Sequence, residues 1–173
     1  VKQKVNILID LKKIRSKIIT KNNLYCLCVI SIIFFLDRYT KLLILNNFNE
    51  NSYYLNNFLN LDLIWNTGIG FGIFSSTNNL IYHLITFIIS IVILFLFYLI
   101  AISKIKREKI FFSLIIGGAL GNFYDRIVFR AVPDFIDIHY KNFHWFTFNV
   151  ADIFISVGII TLMLIGVREK KEI

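Results

Sequence analysis

The chain has 173 residues, 57% of them hydrophobic and 17% charged, with a formal net charge of +8. That length suits one compact domain, and apolar residues in such long runs exclude an ordinary soluble fold. Nucleic-acid binding, the usual reading of a basic balance, is set aside because the positive charge flanks the apolar runs and leaves no soluble binding domain.

A spanning helix needs roughly 20 mostly apolar residues, and four segments qualify: 24–45, 80–103, 110–129 and 148–167. The stretch 1–23 before them is basic, with Lys2, Lys4, Lys12, Lys13, Arg15, Lys17 and Lys21. Its apolar residues Ile7, Leu11, Ile14 and Ile18 recur at helical spacing. They predict either an amphipathic helix on an anionic inner leaflet or a frayed basic tail.

The first apolar segment is interrupted by Asp37, Arg38 and Lys41. Its spanning part is expected to run to about residue 36, with the polar end emerging at the surface. Cys26 and Cys28 lie two apart and point in different directions on a helix, so neither a disulfide nor a metal site is expected. No cleaved signal peptide is expected either. The run from Leu24 lacks a small-residue cleavage site and leads straight into Asp37-Arg38-Tyr39-Thr40-Lys41.

Between the first and second segments, Leu59, Leu61, Leu63 and Trp65 alternate with Asn60, Asp62, Ile64 and Asn66. This largely strand-like periodicity predicts a small β element. Asn66-Thr67-Gly68-Ile69-Gly70-Phe71-Gly72 follows, a glycine-rich loop that permits tight turns. No Gly-Lys-Ser/Thr follows it, so a phosphate loop is discounted.

The 104–109 connection is basic (Lys104, Lys106, Arg107 and Lys109), as is the 168–173 tail (Arg168, Lys170 and Lys171). With four spans, both fall on the same side as 1–23, and the positive-inside rule makes that side the cytoplasm. The acids show the opposite bias. Asp37, Glu50, Asp62, Asp125, Asp134, Asp137 and Asp152 gather toward the outer face.

The third segment contains Gly117-Gly118-Ala119-Leu120-Gly121-Asn122, small residues that let membrane helices approach closely. Asn122, Asp125 and Arg126 continue that helix on one face, and Asn149 and Asp152 share a face at the start of the fourth. These polar faces lie at the same outer end and can converge. The expected architecture is an α-helical membrane protein with four transmembrane helices and a small β element and loop on the outer, periplasmic side. Its divisions are 1–23, a basic cytoplasmic extension; 24–167, a four-span membrane domain; and 168–173, a basic cytoplasmic tail.

A carboxylate near the bilayer is costly, so its default reading is functional. Two carboxyls sharing one proton can activate a water and polarise a scissile carbonyl. Asp134 and Asp152 are the favoured pair, with Asp125 and Asp152 conceivable. Asn122, Arg126 and Asn149 would hold substrate backbone or the oxyanion. Asp37 and Lys41, four apart, read as a structural pair. Other chemistries fit less well. His83, His139 and His144 form no His-Glu-x-x-His, and no nucleophile elbow is present.

Five blocks carry a family resemblance: Asp37-Arg38-Tyr39-Thr40-Lys41, Asn66-Thr67-Gly68, Gly117 through Arg126, Pro133-Asp134-Phe135, and Phe148-Asn149-Val150-Ala151-Asp152. In this order, over roughly residues 24–167, they resemble bacterial lipoprotein signal peptidase, the type II signal peptidase. The resemblance implies a metal-independent aspartyl endopeptidase of the bacterial inner membrane, without cofactor. It would cleave prolipoproteins just before a diacylglyceryl-modified cysteine and be blocked by cyclic peptides of the globomycin type. It makes Asp134 and Asp152 the catalytic dyad. Asn66, Gly68, Asn122, Arg126 and Asn149 match substrate-contacting positions, and Asp37, Lys41 and Asp125 match polar positions of the scaffold.

Three departures stand out. Arg38 stands where the family usually has an uncharged residue such as Gln, Ile69-Gly70 replaces Ala-Ala, and Pro133 replaces Val. The competing reading is a small polytopic proton-coupled carrier or a membrane scaffold without catalysis. A carrier would place its acids near the midplane between repeats. Here the acids cluster at one edge and no repeat is seen.

Overall fold

The computed structural model describes residues 20–47, 53–68 and 79–169. Within them are four helices, α1 (Lys21–Asn47), α2 (Asn79–Ile102), α3 (Lys106–Phe129) and α4 (Val150–Glu169), and four strands, β1 (Tyr53–Asn56), β2 (Leu59–Asn66), β3 (Val132–Tyr140) and β4 (Phe143–Phe148). The predicted amphipathic segment before residue 20 lies outside the described residues, as do Gly70, Phe71 and Gly72 of the glycine-rich loop.

Each helix takes in nearly all of one of the four apolar runs. Thr20 caps α1, its hydroxyl accepting a hydrogen bond from the Asn23 backbone N–H at 3.1 Å. α2 and α4 are long and apolar enough to cross a membrane, over Leu80–Ile102 and Val150–Val167. Their outer surfaces carry large exposed apolar side chains, among them Leu94 (69% exposed) and Met163 (67%). Contiguous apolar surface of this kind needs a lipid or protein covering.

α3 is the centre of the bundle and packs against the other three helices, while α1 also touches α4. Glycine permits this closeness. A methyl group at Gly118 would strike the Ala151 carbonyl of α4, and one at Gly121 would strike the Asp37 carboxylate of α1.

The first helix departs from expectation. It does not lose its interior character near residue 36 but continues to Asn47, with Asp37 and Lys41 fully buried and Arg38 8% exposed. The reason is pairing. These charges meet partners on α3, so they turn inward instead of emerging.

The expected β element appears as β2, but it is one strand of an antiparallel sheet ordered β1-β2-β3-β4. β3 and β4 arise from 130–147, read from sequence only as an outer connection. β3 is central, pairing with β2 through Ile64↔Asp134 and Asn66↔Val132, and with β4 through Ile136↔Phe148. Pro133 fits because β4 pairing begins only at Ile136, so its missing N–H faces no strand on that side. Arg130, at φ 56, turns the chain from α3 into β3. Lys141, at φ 54, opens the two-residue turn into β4.

Candidate active site

α4 begins with reciprocal capping. The Asp152 backbone N–H donates to Asn149 Oδ1 at 3.2 Å, and the Asn149 N–H donates to Asp152 Oδ2 at 3.1 Å. This is the capping-box arrangement built from asparagine and aspartate. It leaves the Asn149 side-chain amide free to donate elsewhere, and Nδ2 reaches Asp134 Oδ1 at 2.6 Å. One fully buried asparagine thus bonds both carboxylates.

The other oxygens are also held by amides. Asn66 Nδ2 donates to Asp134 Oδ2 at 2.9 Å, and Asn122 Nδ2 donates to Asp152 Oδ1 at 2.9 Å. Asn66 is oriented in turn by the Gly68 N–H, which donates to its Oδ1 at 2.8 Å. Asp134 comes from a strand, Asp152 from the first turn of a helix, and the three asparagines from β2, α3 and the entry to α4. Among described residues the two acids have no direct ion pair.

Burial dominates the electrostatics of Asp134. Its pKa is raised from 3.8 to about 6, first by desolvation and then by the Asp152 charge, against the lowering effect of the Asn66 and Asn149 hydrogen bonds. Two acids placed like this favour one shared proton near neutrality.

A second polar cluster lies behind the first. Lys41 Nζ donates to Asp37 Oδ2 at 2.9 Å, Asn122 Oδ1 at 2.7 Å and Asp125 Oδ2 at 2.8 Å. An ammonium has three donors, and all three are satisfied. Arg38 pairs with the other Asp125 oxygen and lies over the Tyr124 ring, 4.8 Å from its centroid. Asp37 Oδ1 accepts from the Ala151 N–H at 3.1 Å, joining α1 to the start of α4. Asp125 is therefore occupied by two cations, which removes it as the alternative partner of Asp152.

Arg126 is 5% exposed and donates to the carbonyls of Asn122 and Gly68. Its Nε has no hydrogen-bond partner among the described residues. Tyr82 of α2, not singled out from sequence, donates to the Arg126 carbonyl at 2.7 Å. Sequence reasoning also missed the Ala151 N–H on Asp37. A backbone donor carries no residue signal.

Two clefts reach the acids from different sides. One, of about 370 Å³, runs from Asp134 past Trp65 and Asn66 to Asp137 and Trp145. The other, of about 300 Å³, is largely apolar and runs from Asp152 along α4 past Ile153, Val157 and Ile160. Cys26 is buried and Cys28 exposed, and both are free thiols. The one group of three metal-ligating side chains among the described residues is Asp137, His139 and His144, on the sheet.

Comparison with known proteins agrees with this architecture. The family model for signal peptidase II matches residues 29–168. The lipoprotein signal peptidase of Pelagibacter ubique (strain HTCC1062) is 48% identical over 153 residues, covering 87% of this chain and 92% of that protein. That of Wigglesworthia glossinidia brevipalpis is 40% identical over 145 residues, covering 83% and 92%. A solved bacterial membrane enzyme superposes with a TM-score of 0.74 at 28% identity, covering 86% of this chain and 90% of its own. With the family model matching residues 29–168 and relatives this similar along most of their length, the chain belongs to the signal peptidase II family.

Proposed function

We propose that Asp134 and Asp152 are the catalytic pair of this membrane aspartyl endopeptidase, which removes signal peptides from prolipoproteins. The observation that carries this is the Asn149 amide and backbone bonded to both carboxylates. In the reaction, the ionised carboxyl takes a proton from water as it attacks the scissile carbonyl. The neutral one polarises that carbonyl and then protonates the leaving amine. Asn66, Gly68, Asn122, Arg126 and Asn149 position the carboxyls and offer groups to the substrate backbone. The unpaired Arg126 Nε supports such a contact.

The two clefts suit a substrate that is part peptide and part lipid. The polar one would take the chain beside the scissile bond. The apolar one along α4 would take the diacylglyceryl-cysteine end, whose buried methylenes contribute about 0.8 kcal/mol each. Cyclic peptides of the globomycin type would compete for the same groove. The β2 strand and the turn through Gly68 would clamp substrate from outside, with Trp65 at the interface; residues 69–74 of the expected clamp lie outside the described residues. Phe71, the other expected anchor, lies outside the described residues.

All four helices would span the bacterial inner membrane, including α1 and α3, whose interior Asp37, Arg38, Lys41 and Asp125 pair with one another and not with lipid. Both termini would be cytoplasmic and the site would sit at the outer leaflet. The division into 1–23, 24–167 and 168–173 follows. The support is the basic bias of the 104–109 connection and of both termini.

The test is cleavage of a diacylglyceryl-modified prolipoprotein by the purified chain. Asp134→Asn and Asp152→Asn should each lose cleavage while still folding, with a cooperative melting transition, and a chelator should leave the wild type unaffected. Near-normal turnover by either variant would remove that residue from the pair.

A further inference from the structure

The outer sheet carries three side chains that no step of the peptidase reaction uses. Asp137 and His139 are two apart on β3 and so project from the same face. His144 faces His139 across the β3–β4 pairing. The two imidazoles stack with centroids 5.2 Å apart and planes 23° from parallel. One carboxylate oxygen is the focus. Asp137 Oδ2 lies 2.7 Å from His144 Nδ1 and 3.7 Å from His139 Nδ1.

Two features are hard to explain as a purely structural network. Asp137 is 3% exposed and His139 7%. Yet His139 Nδ1 has no hydrogen-bond partner among the described residues. Asn60, whose Nδ2 donates to the same Asp137 oxygen at 3.4 Å, also has its buried Oδ1 unpartnered among them. Leaving a buried polar atom unpaired is unfavourable, because it has given up its water without a replacement.

We infer that Asp137, His139 and His144 form a binding site for a divalent transition-metal ion such as Zn²⁺. The three candidate ligand atoms lie within 4.8 Å of one another. Zinc bonds of about 2.0–2.2 Å in a tetrahedron place ligand atoms about 3.3–3.6 Å apart, between the two distances seen here. The ion would replace the proton shared by His144 and Asp137 and give His139 Nδ1 its missing partner. Two imidazoles and one carboxylate select zinc, cobalt, nickel or copper over magnesium or calcium, which prefer all-oxygen sets. The His144 side chain is 55% exposed, so an ion can enter from solvent and keep an open position for water. The site opens into the same cleft as Asp134, at its far end, and is not needed for the acid–base chemistry of the proposed pair.

Cobalt is the direct probe, because tetrahedral Co²⁺ with imidazole and carboxylate ligands absorbs in the visible. The full chain, purified without a histidine tag and stripped by chelator, is titrated with Co²⁺ in detergent. One equivalent should produce ligand-field bands, and Zn²⁺ should abolish them. His144→Ala, at a half-exposed side chain, should weaken binding by more than about tenfold, as even the loss of an outer-shell partner does at metal sites. Asp137→Asn should do the same, with melting curves confirming that both variants are folded. Absence of bands in the wild type would overturn the site, as would unchanged binding in either folded variant.

Discussion

Asp134 and Asp152 differ from Asp37 and Asp125 less in burial than in what holds them. Asp134 is 2% exposed and Asp152 part-buried, and Asp37 and Asp125 are fully buried. The first pair is held by the amides of Asn66, Asn122 and Asn149. The second is held by Lys41 and Arg38. An amide donor tolerates a carboxyl that gains and loses a proton, whereas an ammonium or guanidinium rewards only the ionised form. Burial alone does not separate the two pairs; the chemistry of their donors does. Asn122 joins the regions, donating to Asp152 and accepting from Lys41.

The sharpest way to break this comparison is to exchange effects between the pairs. Asp134→Asn should lower cleavage by about 10²–10⁴-fold, the usual worth of acid–base catalysis, with a melting temperature no lower than the wild type's. Asp125→Asn should instead act mainly on stability, because it strips two buried cations of a partner. If both variants lost activity and stability alike, the division into reactive and structural acids would fail.

Lys41→Met is the next largest test. It leaves Asp37 and Asp125 buried without their shared cation, and breaking a buried pair this way costs about 3–5 kcal/mol. Denaturant or thermal unfolding in detergent measures it. A cost below about 1 kcal/mol, the range of exposed pairs, would show that water reaches the cluster.

The pH dependence sharpens the comparison further. With its pKa raised from 3.8 to about 6, Asp134 holds its proton more tightly in the folded chain. Its contribution to stability is complete below pH 3.8 and is lost as pH rises through about 6. The change is on the order of 2–3 kcal/mol. Melting temperature followed over that window should fall with pH in the wild type and fall less in Asp134→Asn. A full wild-type slope in the variant would assign the effect to other groups.

The smallest expected effect is Arg38→Gln, which restores the uncharged residue usual in the family. Asp125 keeps Lys41, and the loss is one hydrogen-bonded cation and its contact with the Tyr124 ring, about 1 kcal/mol. A cost equal to that of Lys41→Met would make Arg38 a full member of the buried cluster.

Much of this was legible in residue order. The four apolar runs became four helices because a long apolar stretch has few other ways to satisfy its backbone. The alternation from Leu59 to Trp65 became β2 for the same local reason. Asp134, Asp152 and the asparagines around them were singled out because polar groups beside apolar helices are costly enough to need a purpose, and the structure brings them together. β3 was not legible. Val132 to Ile138 has Pro133 near its start and acids at Asp134 and Asp137, three apart, so it lacks strand alternation. It is a strand because β2 and β4 flank it.

Local sequence therefore determined which segments are helical, where the polar residues fall and which family they match, since these depend on short-range periodicity and on residue identity. Only the tertiary structure decided which acid meets which donor. Lys41 on α1 finds Asn122 and Asp125 on α3, and Asn149 finds Asp134 on β3, because helix packing at Gly118 and Gly121 and the β2–β3–β4 register bring them within hydrogen-bond reach. Whether an aspartate is an ion-pair anchor or a proton-carrying group is set by those long-range contacts, and no spacing along the chain encodes them.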